Sequence, residues 1–86
     1  MGLYNSQFSE VFSRLLEKAG VSCYEISRQT HLDQAYLSRL KSGEKDNPSV
    51  ETVMKISLAL YRYGNKLTLY DIEKLFNSIG SSMRFQ

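Results

Sequence analysis

The stretch SCYEISRQTHLDQAYLSRLKSG, Ser22 to Gly43, carries two short helical patterns with almost nothing between them. Ser22 and Glu25 form an S-x-x-E capping box, in which each side chain satisfies a backbone N–H at a helix start. This predicts a helix from about Ser22 to Thr30, with Ile26 as its main apolar anchor. Asp33 is a good N-cap for a second helix, and Gly43 is its natural C-terminal stop. Only His31 and Leu32 lie between the first helix and the Asp33 cap. So short a turn forces a steep crossing. Ser27 is small where a closely packed neighbour would cross, and Leu32, Leu37 and Leu40 supply apolar backing. The second helix, Asp33 to Ser42, puts Tyr36, Leu37 and Leu40 on one side. Gln34, Ala35, Ser38, Arg39 and Ser42 fall on the other. A surface helix usually shows water a mixture of Lys and Glu. This face offers small residues, one amide and one guanidinium.

The pattern continues outward in both directions. Upstream, Phe8, Val11, Phe12, Leu15, Leu16 and Ala19 repeat at helical spacing and predict a helix from about Ser6 to Ala19. Gly20 stops it, and Val21 packs as the chain turns. Downstream, GEKDNP is a loop of turn-forming residues. Ser49 then caps a helix to about Tyr63, with Val50, Val53, Ile56, Ser57 and Leu60 as its inward stripe and Gly64 and Asn65 at its end. Thr68 and Asp71 form a second capping-box-like pair. They open a last helix, from about Thr68 to Ile79, with Leu69, Ile72, Leu75, Phe76 and Ile79 along one face. Gly80 stops it, and SSMRFQ reads as a frayed tail. Five helices, short loops and no convincing strand predict an all-α bundle.

The whole chain sets bounds on that reading. At 86 residues, one domain over 1–86 is expected. Hydrophobic residues make up 42% and charged residues 23%, ordinary values for a soluble globular protein. The net charge of +2 permits an anionic partner without arguing for one. A single cysteine, Cys23, excludes an intramolecular disulfide, and with one histidine it argues against a metal site. No apolar run approaches the ~20 residues needed to span a bilayer, and no secretory signal is visible. The expected compartment is the cytoplasm. MGLYNS matches the myristoylation pattern, with Gly2 as acceptor and Ser6 at the fifth position, and reads as a chance match. Glu10, Glu17 and Lys18 read as a solvated face. No residue set suits catalysis and no glycine-rich phosphate loop occurs, so neither an enzyme nor a cofactor is expected.

The helix pair resembles the helix-turn-helix of the Cro and phage-repressor family, the XRE type. The resemblance rests on LLEKAGVS, EIS, YLSRLKSG and NPSVETVMKISLAL, in the family's order and spacing, and covers Phe8 to Leu60. It implies a lambda-repressor-like five-helix bundle, with the motif at 22–43, that binds double-stranded operator DNA, usually as a dimer, to control transcription. In this motif the second helix enters the major groove. The resemblance places Gln34, Ala35, Ser38 and Arg39 at base-reading positions. Their chemistry suits the task. Gln34 can pair with an adenine edge, Arg39 with guanine O6 and N7, and Ala35 with a thymine methyl, while Ser38 can bond either kind of base. Phosphate contacts are expected from free N–H groups at Ser22 and Cys23, and across the motif from Lys41, Ser42, Lys45 and Asn47.

The chain departs from the family pattern in the motif itself. His31 stands where glycine is most frequent; if it keeps a left-handed conformation there, its side chain costs about 1 kcal/mol. It reads as an exposed turn residue, with a phosphate contact by protonated His31 as the alternative. Cys23 stands where a phosphate-bonding glutamine is common. It reads as a small first-turn residue, with a lowered pKa and redox sensitivity as the alternative. Thr30 replaces a usual leucine, which thins the core behind the first helix of the pair. Asp33 puts a carboxylate near the DNA backbone.

Two functions remain open. One is a sequence-specific regulator, a repressor, acting as a homodimer on a palindrome. The other is an antitoxin or similar interaction module that holds a toxin or regulator protein. The last helix, 68–80, either forms the dimer surface through Leu69, Tyr70, Phe76 and Ile79 or completes the core.

Overall fold

The computed structural model describes residues 7–63 and 67–79. They form five helices in chain order: α1 (Gln7–Ala19), α2 (Cys23–Thr30), α3 (Gln34–Ser42), α4 (Val50–Tyr63) and α5 (Leu69–Asn77). No strand occurs among the described residues. The proposed acceptor Gly2 with Ser6, the stops at Gly64, Asn65 and Gly80, and the SSMRFQ tail lie outside them.

Helix α1 is the hub. It packs against α3, α4 and α5, while α2 packs against α3 and α4, and α4 also meets α5. Phe8 and Phe12 come from successive turns of α1, with ring centroids 5.6 Å apart. They join Ile26, Leu37, Leu40, Val53, Ile56, Leu60 and Leu75 in a core of side chains that are almost wholly buried. Removing each from water contributes about 1.5–3 kcal/mol. Ala59 and Leu67 belong to the same cluster. Both lie outside the stripes seen in the sequence.

The helix ends are fixed by local bonds. Gly20, at φ +73°, donates its N–H to Leu16 at 2.8 Å and closes α1. Ser49 Oγ accepts the Thr52 N–H at 3.1 Å and starts α4. At α5 the Thr68–Asp71 box is complete. The Asp71 carboxylate also meets Lys18 Nζ at 2.7 Å, which ties α5 to α1. Lys18 is therefore not simply solvated. Its ammonium reaches back to a carboxylate that is only 12% exposed.

Three expected placements are corrected. Val50 is 42% exposed, because it opens α4 on the solvent side, and only Val53, Ile56, Ser57 and Leu60 of its expected stripe turn inward. Leu69 is 81% exposed and does not share the buried face of α5. Ile79 lies in the turn after α5, is 2% exposed and packs into the core, so its side chain is not on an outer surface. Leu75 and Ile79 thus complete the core, while Leu69 and Tyr70 are the large apolar side chains of α5 that stand well out in water.

Candidate nucleic-acid interface

The α2–α3 turn is built by a dense set of short-range bonds. Glu25 N–H donates to Ser22 Oγ at 3.2 Å, and Ser22 N–H donates to Glu25 Oε1 at 2.9 Å. His31 adopts φ 64° and ψ 17°, the left-handed conformation, and its N–H donates to Ser27 at 2.8 Å. No other described non-glycine residue has a positive φ. Ser27 Oγ donates to the Leu32 carbonyl at 2.6 Å, so the small side chain at the crossing also ties the turn down. Thr30 Oγ1 donates to the Ile26 carbonyl at 2.7 Å and accepts the Leu32 N–H at 3.1 Å. The residue that thins the core therefore braces the turn. Asp33 Oδ2 accepts the Tyr36 N–H at 3.0 Å and starts α3. Gly43, at φ 93°, ends it, and the N–H groups of Gly43 and Lys45 both reach the Arg39 carbonyl at 3.0 Å.

This frame fixes both faces of α3. Leu37 and Leu40 are buried, and Tyr36 packs at the core edge. Gln34, Ala35, Ser38, Arg39 and Ser42 all face water on the opposite side. The structure therefore brings the four proposed base-reading residues onto one exposed surface. Arg39 is partly engaged there, with its Nε 4.0 Å from Glu44 Oε1. Both partners are about half exposed, so the pair is weak and readily exchanged. Sequence reasoning missed this contact, which depends on the path of the loop after Gly43.

The proposed phosphate-contacting residues divide. Lys41, Ser42, Lys45 and Asn47 are exposed along the C-terminal side of α3 and the following loop. Ser42 Oγ already donates to the Arg39 carbonyl and accepts the Glu44 N–H. At the other edge the Ser22 N–H, expected to be free, is taken by the Glu25 carboxylate. The capping box itself carried this signal, since its glutamate reaches back to the cap N–H. Cys23 is buried, with its side chain turned into the core. Burial pushes its thiol above the ordinary value, and Lys41 and a hydrogen bond with Ser38 only partly offset that. The direction is opposite to that of an activated thiolate.

Among the described residues, no three His, Cys, Asp or Glu side chains gather to hold a metal ion. No described helix is long and apolar enough to cross a membrane.

Comparison with known proteins agrees with this geometry. A family model for the Cro/C1-type HTH DNA-binding domain matches residues 12–61, from within α1 to near the end of α4. No curated protein and no solved structure matches the chain. The matched span contains the capped helix pair, the left-handed turn and the exposed α3 face, and the chain belongs to the family of Cro/C1-type HTH DNA-binding domains.

Proposed function

We propose that this protein is a sequence-specific transcriptional regulator, a repressor that acts in the cytoplasm as a homodimer on a palindromic operator. One observation carries the reading. In a Cro/C1-type domain, α3 is capped at both ends and presents Gln34, Ala35, Ser38 and Arg39 together on one exposed face. The second helix of such a motif lies in the major groove, with its N-terminal residues toward the base edges. Gln34 suits adenine and Arg39 suits guanine. Lys41, Lys45 and Asn47 lie where they can follow the adjoining phosphates and set register. With Glu25 occupying the Ser22 N–H, the α2 edge contributes less to phosphate binding than the α3 edge.

One motif covers too few base pairs for high specificity. Two copies with recognition helices about 34 Å apart would read two half-sites on one face of the duplex.

Selection of bound duplexes from a random pool tests the reading. A two-fold symmetric site is expected, with affinity falling steeply as salt rises because phosphate contacts release counterions. Flat, weak binding with no enriched sequence would overturn it.

A further inference from the structure

The outer surface of α4 differs from any other helix face in the molecule. Val50, Met54, Leu58 and Tyr61 stand at i, i+4, i+8 and i+11 and are 42%, 52%, 65% and 59% exposed. They form one apolar arc along the length of the helix. A run of large exposed apolar side chains of this kind marks an interface more often than chance. The arc does not belong to the proposed DNA surface, since it is neither basic nor on α3.

Its charges are arranged along one edge. Glu51 lies in the first turn of α4 and Arg62 in the last, with Lys55 between them. Lys55 Nζ is 3.6 Å from Glu51, and Arg62 donates to Gln29 across a groove of about 320 Å³ floored by Leu58 and Ala59. When two identical helices pack antiparallel about a two-fold axis, the same edge of each faces the other. Glu51 of one copy then comes opposite Arg62 of its partner, and the reverse, around a centre of Met54 and Leu58. A parallel pairing sets the charged edge against the opposite edge and gains no such match. The surface is complementary to itself in one orientation, as an isologous contact requires.

We infer that a second copy of this chain covers the α4 arc in an antiparallel α4–α4 contact, and that this contact, not α5, is the dimer interface. The inference deepens the homodimer part of the proposed function and rests on it. One helix face is smaller than the roughly 800 Å² per partner of a standard interface. The free dimer is therefore a weak one, and a DNA site that holds both copies tightens it.

Sedimentation of the full chain without DNA, across micromolar to millimolar concentration, tests this. The wild type is expected to pass from monomer to dimer. Leu58→Glu should raise the dimer dissociation constant about tenfold or more, with circular dichroism unchanged because Leu58 is exposed. Tyr70→Glu, on α5, should leave it unchanged. Glu51→Arg and Arg62→Glu should each weaken the dimer, and the double exchange should restore it. Positions 51 and 62 are about 16 Å apart along one helix, so rescue can only act between chains. A wild type that stays monomeric, a Leu58→Glu dimer as tight as wild type, loss of the dimer through Tyr70→Glu, or a double exchange without rescue would each overturn the inference. A chain that dimerises in this way but selects no operator would break the DNA reading and leave the interface standing.

Discussion

Helices α3 and α4 both present an exposed face, and the two faces have opposite chemistry. That of α3 is short, polar and small, with Ser38 and Ala35 between Gln34 and Arg39. That of α4 is long and greasy, with Met54, Leu58 and Tyr61 standing in water. The inner faces of both helices are ordinary core. The contrast matches the two contacts proposed above, one with DNA and one with a second copy. A surface that slides into a groove needs clearance and hydrogen-bonding groups, whereas a surface that holds a protein needs apolar area. If both proposals hold, each kind of contact falls on its own helix.

The largest test of this separation compares one leucine on each helix. Leu40→Ala, inside α3, should cost about 2–5 kcal/mol of folding stability through lost burial and a cavity. Leu58→Ala, outside α4, should change the stability of the monomer by less than about 0.5 kcal/mol. Denaturant titration at low protein concentration measures both. Equal losses would mean that the α4 arc is part of the core.

Next in size is Arg39→Ala. It should relax sequence preference at one base pair per half-site by about 1–3 kcal/mol while leaving the fold intact. Lys45→Ala should instead weaken all duplexes alike and lower the salt slope by about one. Competition binding on a panel of mutated sites separates the two. A uniform loss from Arg39→Ala would move that residue from the bases to the backbone.

Asp71 sharpens the comparison by fixing α5 independently of either face. The bond from Lys18, then the Thr68 N–H, holds its carboxyl below the ordinary value of 3.8. A depressed folded pKa means that this stabilisation is present above the unfolded value and is lost as pH falls through the folded one. Asp71→Ala should cost about 1–2 kcal/mol at neutral pH and flatten the acid limb of the stability curve. A variant with an unchanged acid limb would remove Asp71 from the account.

The smallest effect should be a gain. Ser57 Oγ is buried on the inner side of α4 without a hydrogen-bond partner. Ser57→Ala should raise stability by up to about 1 kcal/mol, read as a rise in melting temperature. A loss on the same scale would show that the hydroxyl has a partner in solution.

What could be read in the sequence follows the range of the interactions. The caps at Ser22, Asp33 and Thr68 involve neighbours three residues away, and all three form as expected. His31 does take the left-handed conformation that the sequence raised only as a condition. The family pattern supplied the positions on α3, and the exposed face followed from helical spacing. The Lys18–Asp71 pair spans 53 positions, so no local pattern announces it. In α4 a single residue departs, Val50, for another reason. The helix carries apolar residues on two arcs, and periodicity alone does not say which arc turns inward. Val50 lies on the outer one. Ile79, four residues after Leu75, follows it into the core, where helical spacing alone puts it.

The left-handed turn at His31 also limits how this sequence can drift. Position 31 is exposed, yet it is not free to vary. Glycine enters without strain, and asparagine or aspartate at little cost. Valine, isoleucine or threonine would clash with its own backbone at φ 64°. Such a change would reopen the bonds through Ser27, Thr30 and Leu32 and re-aim α3. Among related chains, this surface position should therefore accept fewer residue types than an exposed position within a helix.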